Sequence, residues 1–107
     1  MEPELTIQTV HAGEQTTVTL AGEIDLLTST QLNRELDIVL DRVPPPRRLC
    51  LELADVSFMD TTGVAILLKA RRRALELDCR FVVTTSSRTI ARLFEITGLA
   101  GLLTETG

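Results

Sequence analysis

Leu49-Cys50-Leu51-Glu52-Leu53-Ala54-Asp55-Val56-Ser57-Phe58-Met59-Asp60-Thr61-Thr62-Gly63-Val64-Ala65-Ile66-Leu67-Leu68 is the stretch that decides the fold. Residues 49–54 are apolar on both faces apart from Glu52, the pattern of a strand near the middle of a sheet covered by helices. Residues 55–60 read as a loop with two apolar anchors, Val56 and Phe58. Asp and Thr are good helix N-caps, and an apolar run follows them. A helix is therefore predicted from Thr61 or Thr62 to about Leu77. Strand followed by helix followed by strand implies a crossover and parallel pairing.

Working outward, the N-terminal side predicts a hairpin. Leu5, Ile7 and Thr9 alternate with polar residues, residues 12–15 form a turn, and residues 16–21 place Val18 and Leu20 on one face. Gly22-Glu23-Ile24-Asp25 then leaves the second strand. A helix is predicted over residues 28–42, with Thr28 and Gln31 spaced as a capping box. Leu32, Leu36, Val39, Leu40 and Val43 form its apolar side, and Pro44-Pro45-Pro46 ends it as a stiff connector. On the C-terminal side, residues 81–84 predict a fourth strand. Ser86 or Ser87 caps a third helix running through Ile96, with Ile90, Leu93 and Phe94 inward. Gly98 suits its C-cap, and Leu102-Leu103 suits a last short strand. The expected fold is α/β. It has one small mixed β-sheet of four or five strands with an N-terminal antiparallel hairpin. Three or four helices lie mainly on one face, in a single domain over residues 1–107.

Composition narrows the functional classes. The 107 residues carry a net charge of −4, which argues against a nucleic-acid binder. No apolar run nears the roughly 18 residues of a membrane span. The start Met1-Glu2-Pro3-Glu4 lacks the basic and apolar regions of a secretion signal, so a cytoplasmic location is expected, without membrane insertion. Three phenylalanines are the whole aromatic content, so the core must be aliphatic. Cys50 and Cys79 read as small apolar fillers, and His11, next to the turn, as a surface residue. Arg71-Arg72-Arg73 lies late in a helix, where cations oppose the negative end of its dipole, and reads as a solvated face. There is no Gly-rich phosphate loop, no nucleophile beside an obvious base and no metal-ligand cluster. An enzyme is not expected, nor a metal or cofactor.

Asp60-Thr61-Thr62-Gly63 admits two readings. One is structural: a capped helix start with a glycine for tight packing. The other is a modification site, because a helix N-terminus accommodates a phosphate and an added phosphate brings about −1.5 to −2 charges. Residues 64–68 are apolar all round, so part of that helix is either covered by a neighbour or left for a partner.

The run Val56-Ser57-Phe58-Met59-Asp60-Thr61-Thr62-Gly63-Val64-Ala65 closely resembles the phosphosite signature of the STAS domain in bacterial anti-sigma-factor antagonists. Gly22-Glu23-Ile24-Asp25 resembles that family's Gly-Glu-Leu-Asp turn, and Arg92-Leu93-Phe94-Glu95-Ile96-Thr97-Gly98-Leu99 its closing helix and glycine cap. The resemblance covers about residues 5–102. It implies a non-enzymatic binding protein of the stress-response type. The unmodified form holds an anti-sigma factor, often an ATP-dependent protein kinase, and so frees a sigma factor for transcription. Phosphorylation ends the complex and a phosphatase restores it. The resemblance maps the phosphoacceptor to Thr61 and partner contact to Asp25, Asp60, Thr62, Gly63 and Val64. Single-domain antagonists usually carry Ser at the acceptor position, and threonine adds a methyl that stiffens χ1. An alternative within the same fold is a cytosolic accessory subunit of a lipid-transport ATPase.

Overall fold

The structure, a computed structural model, describes residues 4–104. The acidic start, Met1-Glu2-Pro3, lies outside them. Four strands, β1 (Leu5–Ala12), β2 (Gln15–Ile24), β3 (Arg48–Met59) and β4 (Arg80–Ser86), form one sheet in the order β1-β2-β3-β4. The helices are α1 (Ser29–Leu40), α2 (Thr61–Glu76), α3 (Arg88–Thr97) and α4 (Ala100–Leu103). β1 and β2 form the expected antiparallel hairpin, whereas β2–β3 and β3–β4 are parallel. Each parallel pair is joined through a helix, α1 and α2 respectively.

The sheet is covered on one side. Val18, Leu20, Leu49, Leu51, Leu53, Phe81 and Val83 are buried on the face that meets the helices. Gln8, Val10 and Thr84, on the opposite face, are exposed. Leu32, Leu36, Val39 and Leu40 of α1, Leu67, Ala70 and Ala74 of α2, and Ile90 and Phe94 of α3 complete the core. That core is aliphatic apart from Phe81 and Phe94. Burial of each such large side chain contributes about 1.5–3 kcal/mol. α1 and α2 are cross-linked at their surface: Arg73 pairs with Asp37 at 3.2 Å and also with Asp41. Arg71 Nε donates to the Leu102 carbonyl at 3.2 Å, so two of the three consecutive arginines pin neighbouring elements and only Arg72 fits the solvated-face expectation.

The structure departs from expectation at several ends. Residues 55–60 are not a loop; β3 continues to Met59 because β2 also continues, pairing Ala21 with Asp55, Gly22 with Val56 and Ile24 with Met59. Register shifts after Thr19 and Gly22 break the strict alternation that marks a strand in sequence. Of the two supposed anchors Val56 is fully buried, but Phe58 is 46% exposed. The capping box at Thr28 and Gln31 does not form. The Thr28 hydroxyl instead donates to the Glu23 carbonyl at 2.8 Å, and Gln31 reaches the Leu5 carbonyl at 3.4 Å. α1 stops at Leu40, so Val43 falls beyond the helix and is 96% exposed rather than on an apolar stripe. Leu102-Leu103 is helical, part of α4, with Leu103 buried in the core; the β-bridge to Val83 is made by Thr104. Ser87 does cap α3, accepting from the Ile90 N–H at 3.3 Å, and Gly98 closes it at φ +75°.

Candidate functional site

Parallel strands bring their carboxyl ends to one edge of a sheet, and loops leaving that edge form natural sites. Ile24 and Met59 end β2 and β3 side by side, and the Asp60 N–H donates to the Ile24 carbonyl at 3.1 Å. This bond sets the turn that begins with Asp25 beside the start of α2. Two segments far apart in sequence thus become one surface, with Thr61 exposed upon it.

The start of α2 is closed by its own chain. Asp60 Oδ1 accepts from the Thr62 N–H at 3.0 Å and the Gly63 N–H at 3.2 Å. Two N–H donors of the helix start, of the kind that receive a phosphate, are therefore engaged by a carboxylate. Asp60 is the cap of the structural reading, and it leaves the Thr61 side chain exposed at the surface, as a modification site requires. Thr62 and Val64 are half-buried, whereas Gly63 is buried and faces inward. A Cβ on Gly63 would lie 2.7 Å from Ile24 Cγ2 and 2.8 Å from Met59 Cγ. Gly63 thus sets how closely α2 approaches the strand ends, and its position is beneath the surface that Thr61 occupies. Asp60→Ala should cost about 0.5–2 kcal/mol, the usual loss for an N-cap. Urea unfolding of the two proteins checks this, and a loss below 0.3 kcal/mol would show that the cap contributes little.

Asp25 does comparable work on the other side. Its Oδ1 accepts from the Leu27 N–H at 2.9 Å and the Thr28 N–H at 3.0 Å. The Asp25 N–H donates to the Thr28 hydroxyl at 2.9 Å, and the Asp25 carbonyl receives the Ser29 N–H. Asp25 therefore fixes a tight turn that thrusts out Leu26, 71% exposed, and Leu27, 77% exposed. Phe58, near the end of β3, is exposed as well. Sequence reasoning missed all three, because apolar residues default to the core; the available signal was a Leu-Leu pair bracketed by Asp25 and Thr28 in a non-helical segment. A shallow groove of about 320 Å³ between α1 and α2, lined by Asn33, Thr62, Ala65, Ile66 and Lys69 among others, extends the same surface. The apolar start of α2 is accordingly divided: Leu67 is in the core, Ala65 is exposed, and Val64, Ile66 and Leu68 lie between.

Thr61 thus presents an exposed hydroxyl on this surface. His11 is at the hairpin, its Nδ1 2.8 Å from the Thr16 hydroxyl. Cys50 and Cys79 are buried, and burial pushes the Cys79 thiol above its ordinary value, away from the reactive thiolate. Among the described residues no three His, Cys, Asp or Glu side chains gather to hold a metal ion, and no helix is long and apolar enough to cross a membrane.

A protein-family model described as "Mlab, STAS domain" matches residues 7–104. The chain belongs to the STAS-domain family. The anti-sigma-B factor antagonist of Listeria monocytogenes is 32% identical over 84 residues, which span 78% of this STAS chain and 72% of that protein. The crystal structure of an anti-sigma factor antagonist from Mycobacterium paratuberculosis superimposes with a TM-score of 0.79 at 25% identity, covering 92% of this chain and 82% of that one. The phosphorylated form of the Bacillus cell fate determinant SpoIIAA shares the fold, with a TM-score of 0.73 at 20% identity over 95% of this chain and 92% of that one. The mixed sheet, the hairpin and the one-sided helical cover are therefore those of a STAS domain, and the Thr61 edge is the carboxyl edge of its parallel strands.

Proposed function

We propose that residues 1–107 act as one STAS unit that serves as a cytoplasmic anti-sigma-factor antagonist. It binds an anti-sigma factor and so frees a sigma factor, by contact and without turnover. The anti-sigma factor is an ATP-dependent protein kinase that phosphorylates Thr61, and a phosphatase reverses the mark. Asp25, Asp60, Thr62, Gly63 and Val64 build the contact surface. Gly63 does so from below, by seating α2, and Asp25 by holding Leu26 and Leu27 outward.

The observation that carries this reading is one exposed hydroxyl, Thr61, next to a capping carboxylate, at a strand edge where Leu26 and Leu27 after β2 and Phe58 near the end of β3 are also exposed. Apolar surface provides association, and the hydroxyl provides a place to end it. The names of the relatives favour this role over that of a lipid-transport accessory subunit. Titrating the chain into a preformed complex of sigma and anti-sigma factor from the same organism tests it. Release of sigma at near-stoichiometric chain is the expected result. A complex that stays intact at large excess contradicts the antagonist role.

A further inference from the structure

α3 carries more apolar surface than the core consumes. Ile90 and Phe94 are fully buried, yet Ile96 is 72% exposed. Thr89, Arg92, Leu93 and Ile96 follow one another at helical spacing along one side of α3. That side faces Phe58 and Met59 at the end of β3 across an apolar groove of about 260 Å³. The hydrogen bond from the Ser87 hydroxyl to the Val56 carbonyl, 2.6 Å, anchors the helix start beside the strand. Phe58 and Met59 immediately precede Asp60 and Thr61 in the chain, so the groove borders the segment proposed above to bind the partner.

The net charge is −4, but Arg92 lines the groove and Arg88 stands one turn earlier on the same helix, both exposed. Among the described residues neither forms an ion pair, unlike Arg47, held by Glu14, and Arg73, held by Asp37 and Asp41. An apolar slot with an uncommitted guanidinium at its rim suits an apolar side chain followed closely by a carboxylate.

We propose that the groove between Phe58 and α3 is a second docking site for the anti-sigma factor, receiving an acidic segment whose apolar residue packs on Phe58, Leu93 and Ile96 while a neighbouring Asp or Glu pairs with Arg92. This rests on the antagonist reading and adds to it a contact away from the modifiable hydroxyl. The segment anchors on α3, and phosphate on Thr61 acts at the adjoining surface.

The test uses the full chain and a purified anti-sigma factor from the same organism. Its affinity is measured by calorimetry for wild type and for Arg92→Glu, Ile96→Ser, Arg72→Glu and Thr61→Glu. Arg92→Glu should weaken binding about tenfold or more, because it leaves two carboxylates facing each other. Ile96→Ser should weaken it about three- to tenfold. Arg72→Glu makes the same change of charge at an exposed site outside the groove and should leave affinity within about twofold of wild type. Replacing the partner's paired carboxylate with arginine should restore binding to Arg92→Glu. If Arg92→Glu and Ile96→Ser bind as wild type while Thr61→Glu binds weakly, the groove is not a docking site and the antagonist reading stands. Equal losses in Arg92→Glu and Arg72→Glu mean only long-range charge is felt, which also overturns the docking site. If the wild-type chain does not bind, the antagonist reading itself is lost, and the docking site with it.

Discussion

Gly22→Ala is expected to destabilise the domain by about 2–5 kcal/mol, combining a strained backbone with a backbone clash. Gly22 sits at φ +113°, where a side chain is strained whatever the space around it. A Cβ there would lie 2.2 Å from the Glu4 carbonyl oxygen and 3.0 Å from its carbon. That oxygen also receives the Glu23 N–H at 2.7 Å, so it has little freedom to retreat. The position lies at a register shift where β2 changes its pairing with β3, immediately before the Asp25 turn. Gly13→Ala is the control. Gly13 is also at positive φ, +62°, but nothing lies within 4 Å of its would-be Cβ. It should lose only about 1 kcal/mol, the conformational cost alone. Urea unfolding of both variants separates clash from strain. Equal losses at the two positions would mean that the close approach of Glu4 relaxes at no cost. A correctly folded fraction of Gly22→Ala should also bind its partner more weakly, since the Glu23–Asp25 backbone must move.

How far the sequence foretells this site depends on where the deciding contacts come from. The Asp60 cap is local: carboxylate, acceptor N–H groups and the apolar helix lie within four residues, so Asp60-Thr61-Thr62-Gly63 was readable directly. The hairpin, α2, β4 and the Ser87 and Gly98 caps of α3 are local in the same sense. Gly22 is different, because its constraint is set by Glu4 across the β1–β2 pairing. The extension of β3 through Asp55 and Ser57 is likewise set by a partner strand; both residues look like loop residues until residues 21–24 pair with them. The Thr28–Gln31 spacing matched a capping box, but Thr28 had a better acceptor in the Glu23 carbonyl, brought close by the turn that Asp25 holds. Leu26, Leu27, Phe58 and Ile96 show the other limit. Hydrophobicity marks a residue as one to bury, and cannot say whether it is buried in its own core or against another molecule.

Phosphate on Thr61 is expected to weaken the anti-sigma complex by on the order of 100-fold, near the upper end of usual allosteric and switching couplings, while leaving the domain folded. The fold should survive because the helix start is already closed by Asp60 on Thr62 and Gly63, and Thr61 projects into solvent. The phosphate therefore needs no rearrangement to be carried. Its effect falls on the surface. About −1.5 to −2 charges appear at a point already bearing the Asp60 carboxylate. A partner covering Thr61 must then desolvate a dianion, at a cost of several kcal/mol unless the complex opens. The apolar contacts of Leu26, Leu27 and Phe58 are lost with it. Thr61→Ala should bind as the unmodified protein does and resist release by ATP. Thr61→Glu should fall between the two forms, since a carboxylate carries about half the charge of a phosphate and a different shape. Loss of binding in Thr61→Ala would assign the hydroxyl a direct contact in the complex instead of a switching role.

The most direct test incubates the chain with the anti-sigma factor proposed to be its kinase and with ATP, locates the phosphate by mass spectrometry, and measures the affinity of the separated forms for that same factor. The account predicts a single phosphate on Thr61 and a drop in affinity of about two orders of magnitude between the forms. Phosphate on Thr62, Ser57 or Ser86, or phosphate on Thr61 with unchanged affinity, would contradict it.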